Sequence, residues 1–262
     1  MSDEDDHRFV DVGALPDEPL SMPPPYWRSS SAIFHVRAAL RSLPILLARL
    51  VKVHAHTDSQ LGVYFAKHPQ EPADDDGDFG GICEKLWDLE HRIKLATEVA
   101  CFMSAIVAED MLNRFCVYNL HKDLAEPLES LAPADKLVVA AAAVGKPGAR
   151  QSPAFEALKK LYSWRNAFAH GHCTDRPTKS LRHNHLIPPK EYPGVPSSIE
   201  ELRRLVGGLV RIEGYLCSIS RNPYTSRSSS EVSEIQALLK KMEKYQFVGN
   251  NTIYQITVTV RN

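Results

Sequence analysis

Residues 96–107 read ATEVACFMSAIV, an almost apolar stretch inside a helix that the sequence predicts from about residue 82 to residue 120. The first part of this helix, EKLWDLE at residues 84–90, is rich in charge. A helix that is apolar on all sides needs other helices around it, at the centre of a bundle or at a subunit interface. The sequence therefore predicts a mainly α protein. The length of this helix also suggests a break within it.

An N-terminal helix precedes the apolar one. Apolar residues recur at helical spacing from Ser31 to about His56, and Pro44 is the point at which this helix is expected to kink or split. Residues 68–81 are rich in Asp and Gly, which predicts a loop between the two helices.

Shorter elements follow in the second half of the chain. Further helices are predicted over residues 133–144, 153–169, 197–219 and 231–245. Ser152 and Pro153 supply a helix cap and a first-turn proline for the second of these. Residues 252–260 alternate apolar and polar side chains and predict a strand, whose expected partner is either 9–12 or 61–65.

The chain has 262 residues, of which 44% are hydrophobic, and this excludes global disorder. Its length predicts one or two domains. Four segments are expected: an acidic, Pro-rich arm at 1–30, an N-terminal helix and acidic loop at 31–80, a helical domain at 82–220, and a C-terminal helix with a short strand at 221–262.

Charge is distributed unevenly along the chain. Residues 1–30 hold seven acidic and two basic side chains, a net charge of −5. Residues 145–190 hold nine basic and two acidic side chains, a net charge of +7, together with four histidines. A basic segment of this kind suits a polyanion such as RNA, although a solvated loop rich in Arg and Lys is the alternative. The acidic arm is also a possible occupant of a basic cleft.

The sequence predicts a soluble cytoplasmic protein without a membrane partner. Its first residues are acidic and do not resemble a secretory signal, and apolar runs fall short of the roughly 18 residues of a spanning helix. Five cysteines form no CxxC pair, which suits reduced thiols.

The segment with the clearest chemistry is LYSWRNAFAHG at residues 161–171. Asn166 and His170 are four residues apart and share a helix face, whereas Arg165 is rotated from His170 by about 140°. Arginine binds phosphate through two parallel N–H groups, and histidine transfers protons near neutral pH. Together they suit metal-free RNA cleavage, in which the ribose 2′-OH attacks its own phosphodiester.

A purely structural interpretation of the same residues stays open at this point. A histidine in the last turn of a helix stabilises the helix dipole. Arg165 would then pair with a carboxylate such as Glu109, and Asn166 would simply be exposed to solvent.

The segment Arg165-Asn166-Ala167-Phe168-Ala169-His170 resembles the signature of the HEPN superfamily, an arginine followed four to six residues later by a histidine, with a polar residue after the arginine. The predicted helix at 82–120, with Glu109 on it, is similar to the acidic-marked core helix of that family. The sequence LAPADKL at residues 131–137 and the motif helix follow in the family's order. The resemblance covers about residues 82–220.

This resemblance implies an all-α bundle and a homodimer in which two motif helices face each other. It implies a metal-independent endoribonuclease that leaves 2′,3′-cyclic phosphate and 5′-OH ends, in a toxin or antiphage defence role. Arg165 would stabilise the phosphate charge, Asn166 would position the substrate and His170 would transfer the proton. The residues expected to contact RNA are Lys159, Lys160, His172, Arg176, Lys179 and Arg182.

Other functions follow from the same residues. Some relatives in the superfamily are inactive, so a module that only dimerises and binds RNA or a protein is the second hypothesis, and an antitoxin or larger defence complex is a possible partner. His172, Cys173, His183 and His185 are possible zinc ligands, but their spacing matches no known zinc module. The sequence therefore predicts no metal and no cofactor.

Overall fold

The computed structural model describes residues 30–69, 77–170, 199–220, 222, 229–249 and 256–260. Within these ranges the protein is mainly α, as the sequence predicts, with eight α-helices and one two-stranded antiparallel sheet. The helices are α1 (Ser30–Lys67), α2 (Gly77–Asn119), α3 (Lys122–Leu128), α4 (Pro133–Ala143), α5 (Pro153–His170), α6 (Ile199–Val206), α7 (Gly208–Ile219) and α8 (Ser229–Lys241). The strands are β1 (Tyr245–Gly249) and β2 (Ile256–Val260).

α2 contains the apolar stretch and is the longest described helix, at 43 residues. Ala100, Cys101, Val107 and Ala108 are fully buried because α1, α4, α5, α6 and α7 all pack against α2. The helix is continuous, so the expected break within it is wrong. It also begins at Gly77, five residues earlier than predicted, which corrects the loop assignment at 77–81.

α1 runs alongside α2 and carries a buried stripe at helical spacing. The stripe consists of Ile33, Val36, Leu40, Leu43, Leu47 and Leu50, each at most 1% exposed. The helix continues through Pro44 to Lys67, so the prediction that it ends near His56 is wrong. Burial of the stripe on both sides of Pro44 offsets the hydrogen bond that proline cannot make. Tyr64 further along contacts Phe79 of α2, with ring centroids 5.8 Å apart.

By length and composition α1 is also apolar enough to cross a membrane, and 39% of its most apolar window is buried inside the protein. A mostly buried core helix of a soluble protein passes the same test, and so does a signal sequence near the N-terminus. The cytoplasmic location therefore remains a prediction.

α6 and α7 lie where the sequence predicts one helix. The break falls at Gly207, whose N–H still bonds to the carbonyl of Arg203 at 2.8 Å. A Cβ at this position would overlap that carbonyl oxygen, so glycine is required where α7 leaves the axis of α6. The next residue, Gly208, lies against Ala157 and lets α7 approach α5 closely. The division of the predicted helix into α6 and α7 thus depends on the close contacts at Gly207 and Gly208, which helical periodicity does not predict.

We expect Gly207→Ala to lower the free energy of unfolding by about 1–3 kcal/mol, because the added methyl group must displace backbone. Gly214→Ala is the matched control on α7, since Gly214 is exposed and a Cβ there meets nothing within 4 Å. That control should gain about 0.5–1 kcal/mol from the better helix propensity of alanine. Urea unfolding measures both changes, and equal effects of the two substitutions would contradict this account of the break.

The C-terminal segment packs against the N-terminal helix. β1 pairs with β2, with Phe247 opposite Val258, so the expected pairing with residues 61–65 is wrong. Residues 61–65 belong to α1, and residues 9–12, the other expected partner, lie outside the described residues. Tyr245 begins β1, which corrects the prediction that the last helix extends to it.

Two arginines of α1 hold α8 in place. Arg37 and Arg41 both form ion pairs with Glu234, and Arg37 also lies 3.7 Å from Glu231. Partial burial raises the pKa of Glu234, but hydrogen bonds from Arg37 and Arg41, together with their charges, hold this pKa below its ordinary value of 4.5. The stabilisation is therefore complete above about pH 4.5 and is lost as the pH falls further and the carboxylate is protonated.

We accordingly expect Glu234→Gln to lower the melting temperature at pH 7, and we expect this difference from the parent protein to disappear in acid below pH 4.5. Glu156→Gln is the control, because Glu156 is an exposed glutamate on α5. Thermal unfolding followed by circular dichroism between pH 3 and pH 7 gives the comparison. A difference that stays constant down to the lowest pH would show that the ion pairs with Arg37 and Arg41 do not stabilise the fold.

Candidate active site

The motif helix α5 begins as the sequence predicts. The backbone N–H of Phe155 donates to Ser152 Oγ at 3.2 Å, and Pro153 occupies the first turn, where its missing N–H costs nothing. The helix extends to His170, one residue beyond the predicted end. The complete Arg165–His170 segment is therefore helical.

α5 packs against α2, α4 and α7 through one apolar face. The buried residues on that face are Ala154, Ala157, Leu158, Leu161 and Trp164. The opposite face carries Lys159, Ser163 and Asn166, all exposed. By helical spacing the backbone position of His170 continues this same row. α5 thus presents one polar row to solvent and anchors the other side in the core.

Trp164 belongs to the core of the fold. Its ring stacks on Phe168 with centroids 5.1 Å apart, and Phe168 in turn lies 5.7 Å from Phe102 of α2. The side chain is only 8% exposed, so it is not available to stack on an RNA base. These aromatic contacts fix the last two turns of α5 against α2.

Arg165 lies between the buried and exposed faces of α5. Its Nη1 donates to Asn166 Oδ1 at 3.1 Å. Among the described residues it forms no ion pair with a carboxylate, which argues against the structural interpretation in which Arg165 pairs with Glu109. Instead Glu109 accepts a hydrogen bond of 2.5 Å from the hydroxyl of Tyr162. Within the described part of the chain, the Arg165 side chain therefore has one hydrogen bond, to its neighbour Asn166.

Tyr162 is the residue of this site that the sequence analysis missed. Burial, followed by its hydrogen bond to Glu109 and the charge of that carboxyl group, raises the pKa of Tyr162 far above its ordinary value, while Arg165 acts in the opposite direction. The only available signal was that Tyr162 lies one helical turn before Arg165. Its partner is 53 residues away in the chain, and spacing cannot reveal such a pair.

We expect Tyr162→Phe to lower the free energy of unfolding by about 1–2 kcal/mol at pH 7, because Glu109 loses its donor in a partly buried position. A tyrosine whose pKa is raised by folding stabilises the protein fully below the ordinary pKa of 10.0, and this contribution declines as the pH rises further. The difference between the parent and the variant should therefore narrow above pH 10.

Urea unfolding at pH 7 and above pH 10 measures this difference. Tyr215→Phe serves as the control at pH 7, because Tyr215 is a partly exposed tyrosine of α7 with no side-chain hydrogen bond among the described residues. Equal stability of Tyr162→Phe and the parent at pH 7 would show that the bond to Glu109 does not hold α5 on α2.

The remaining predicted residues divide into two groups. Lys159 and Lys160 are exposed on α5, where they are accessible to a polyanion. The others lie outside the described residues: His172, Arg176, Lys179 and Arg182 from the expected RNA contacts, and Cys173, His183 and His185 from the possible zinc ligands. Nor does the described part of the chain contain a group of three or more His, Cys, Asp or Glu residues that could hold a metal ion.

Comparison of the chain with protein-family models, with curated proteins and with solved structures gave no match. The resemblance to the HEPN superfamily therefore rests on the residues of this chain alone, namely the Arg165–His170 motif and the order of the helices around it.

Proposed function

We propose that the protein is a metal-independent endoribonuclease of the HEPN type that acts in the cytoplasm as a toxin or antiphage effector. The observation that supports the proposal is that Arg165 has no carboxylate partner among the described residues and is hydrogen-bonded to Asn166. In particular, its guanidinium forms no ion pair with Glu109, which accepts a hydrogen bond from Tyr162. A permanent cation held near a polar helix row, five residues before His170, suits recognition of an RNA phosphate.

Each motif residue has a distinct part in the proposed reaction. His170 removes the proton from the ribose 2′-OH as its oxygen attacks the adjacent phosphorus, and the bond from phosphorus to the 5′-oxygen breaks. Arg165 stabilises the negative charge that accumulates on the phosphate oxygens. Asn166 holds Arg165 in position and contacts the phosphate. The leaving 5′-oxygen takes up a proton from water, so the products carry a 2′,3′-cyclic phosphate and a 5′-OH.

A homodimer through the motif helices completes the proposed site. Lys159, Ser163 and Asn166 form an exposed polar row on α5, and a second copy facing this row would bring two sets of motif residues into one basic cleft. The described cysteines Cys83, Cys101, Cys116 and Cys217 are free thiols, which suits the reducing cytoplasm.

The direct test is incubation of the purified full chain with total cellular RNA in buffer containing EDTA. We expect RNA cleavage in EDTA, because the reaction needs no metal. The amount of RNA fragments should rise in proportion to protein concentration. RNA binding without cleavage at any protein concentration would contradict the enzymatic proposal and favour the alternative, a non-catalytic module that dimerises and binds RNA or a protein partner.

A further inference from the structure

A groove of about 610 Å³ lies where α6, α7 and α8 meet, on a part of the fold that the motif helix does not line. This volume falls in the range of roughly 300–1,000 Å³ that is typical of sites for small molecules. Arg203 and Arg204 of α6, Arg211 of α7 and Lys240 of α8 all line it, which makes it rich in positive charge. We call it the α6–α8 groove.

Both acidic residues that line the α6–α8 groove form ion pairs with the same arginine, Arg203. Glu200 and Glu243 accept from Arg203 at 3.2 and 2.6 Å. Arg204 lies 3.8 Å from Glu201. Arg211 and Lys240 are therefore the cations of the groove that have no carboxylate partner among the described residues.

Arg211 is held in place by the break between α6 and α7. Its Nη2 donates to the backbone carbonyl of Arg204 at 2.8 Å. Because the helix is interrupted at Gly207, this carbonyl lies in the last turn of α6, where backbone acceptors lack helical partners. One nitrogen of the guanidinium is thereby anchored, and its other N–H groups have no acceptor among the described residues.

We propose that the α6–α8 groove binds a small phosphorylated molecule, with Arg211 and Lys240 as the phosphate contacts. Both residues line one groove, Arg211 with an oriented guanidinium and Lys240 with an ammonium that has no carboxylate partner among the described residues. This pair matches the charge and the acceptor oxygens of a phosphate group. Val210 and Leu239 line the same groove and offer an apolar surface to the rest of the ligand. The proposal does not depend on ribonuclease activity, because none of its residues belongs to the Arg165–His170 motif.

Isothermal titration calorimetry of the full chain with inorganic pyrophosphate tests this site. We expect saturable binding that weakens as salt is added, and about tenfold weaker binding in Lys240→Ala, since a charge-assisted contact is lost. Arg211→Gln should weaken binding by a similar factor. Lys241→Ala is the matched control, because Lys241 is an exposed lysine on the same helix that does not line the groove.

Circular dichroism establishes that each variant is folded. Lys240→Ala keeps the test decisive if Arg211→Gln disturbs α6, since the Lys240 side chain donates to no backbone carbonyl among the described residues. The same affinity in Lys240→Ala and Lys241→Ala would overturn the proposal. So would the absence of saturable pyrophosphate binding to the parent at millimolar concentration. Neither result would bear on RNA cleavage, which is measured separately.

Discussion

Arg165→Ala should slow RNA cleavage by at least about a hundredfold, because it removes the cation that stabilises the crowded phosphate in the transition state. The fold should tolerate the change well, since Arg165 is only half-buried and its one hydrogen bond among the described residues goes to its neighbour Asn166. Initial rates on a fluorescent RNA, measured in EDTA, give the comparison. Arg49→Ala is the control, because Arg49 is an exposed arginine on α1.

Arg165→Lys separates charge from geometry. Lysine keeps the positive charge but lacks the planar pair of N–H groups that fits two phosphate oxygens. We expect its rate to lie between those of the parent and Arg165→Ala. A rate for Arg165→Ala equal to that of the parent would remove Arg165 from the proposed site.

His170→Ala should reduce the cleavage rate by about 10²–10⁴-fold, the usual contribution of a general acid–base group. Binding of RNA should change little, because the basic side chains Lys159, Lys160 and Arg165 remain. Cleavage rate and RNA affinity are therefore both measured, and circular dichroism establishes that the variant is folded. His91→Ala, at an exposed position on α2, is the matched control.

The two readouts distinguish the possible roles of His170. Lost cleavage with retained affinity supports proton transfer. Lost affinity together with lost cleavage would instead assign His170 to RNA binding, and an unchanged rate would contradict any part for it in the reaction.

Local signals predicted the local structure well. Pro133 opens α4, Ser152 and Pro153 open α5, and both helices lie within one residue of the predicted bounds. The apolar stretch at 96–107 correctly predicted a mainly α fold in which other helices pack around α2. These features depend on side chains that are close together in the sequence, so spacing and capping chemistry are sufficient to find them.

Long-range contacts account for what the sequence did not predict. α1 continues past Pro44 because its apolar stripe packs on α2. The last helix ends before Tyr245, and the residues from Tyr245 onward form β1, which pairs with β2. The bond between Tyr162 and Glu109 joins two helices that are far apart in the chain. No periodicity or spacing in a single sequence predicts which of these residues contact each other.

The end groups of the RNA fragments test the central claim most directly. The parent protein, Arg165→Ala and His170→Ala are each incubated with RNA in EDTA, and the products are analysed by mass spectrometry. We predict that the parent alone yields 2′,3′-cyclic phosphate and 5′-OH ends, and that single-stranded DNA, which lacks the 2′-OH, stays intact. Fragments with 5′-phosphate ends, cleavage of DNA, or equal cleavage by all three proteins would contradict the proposed mechanism.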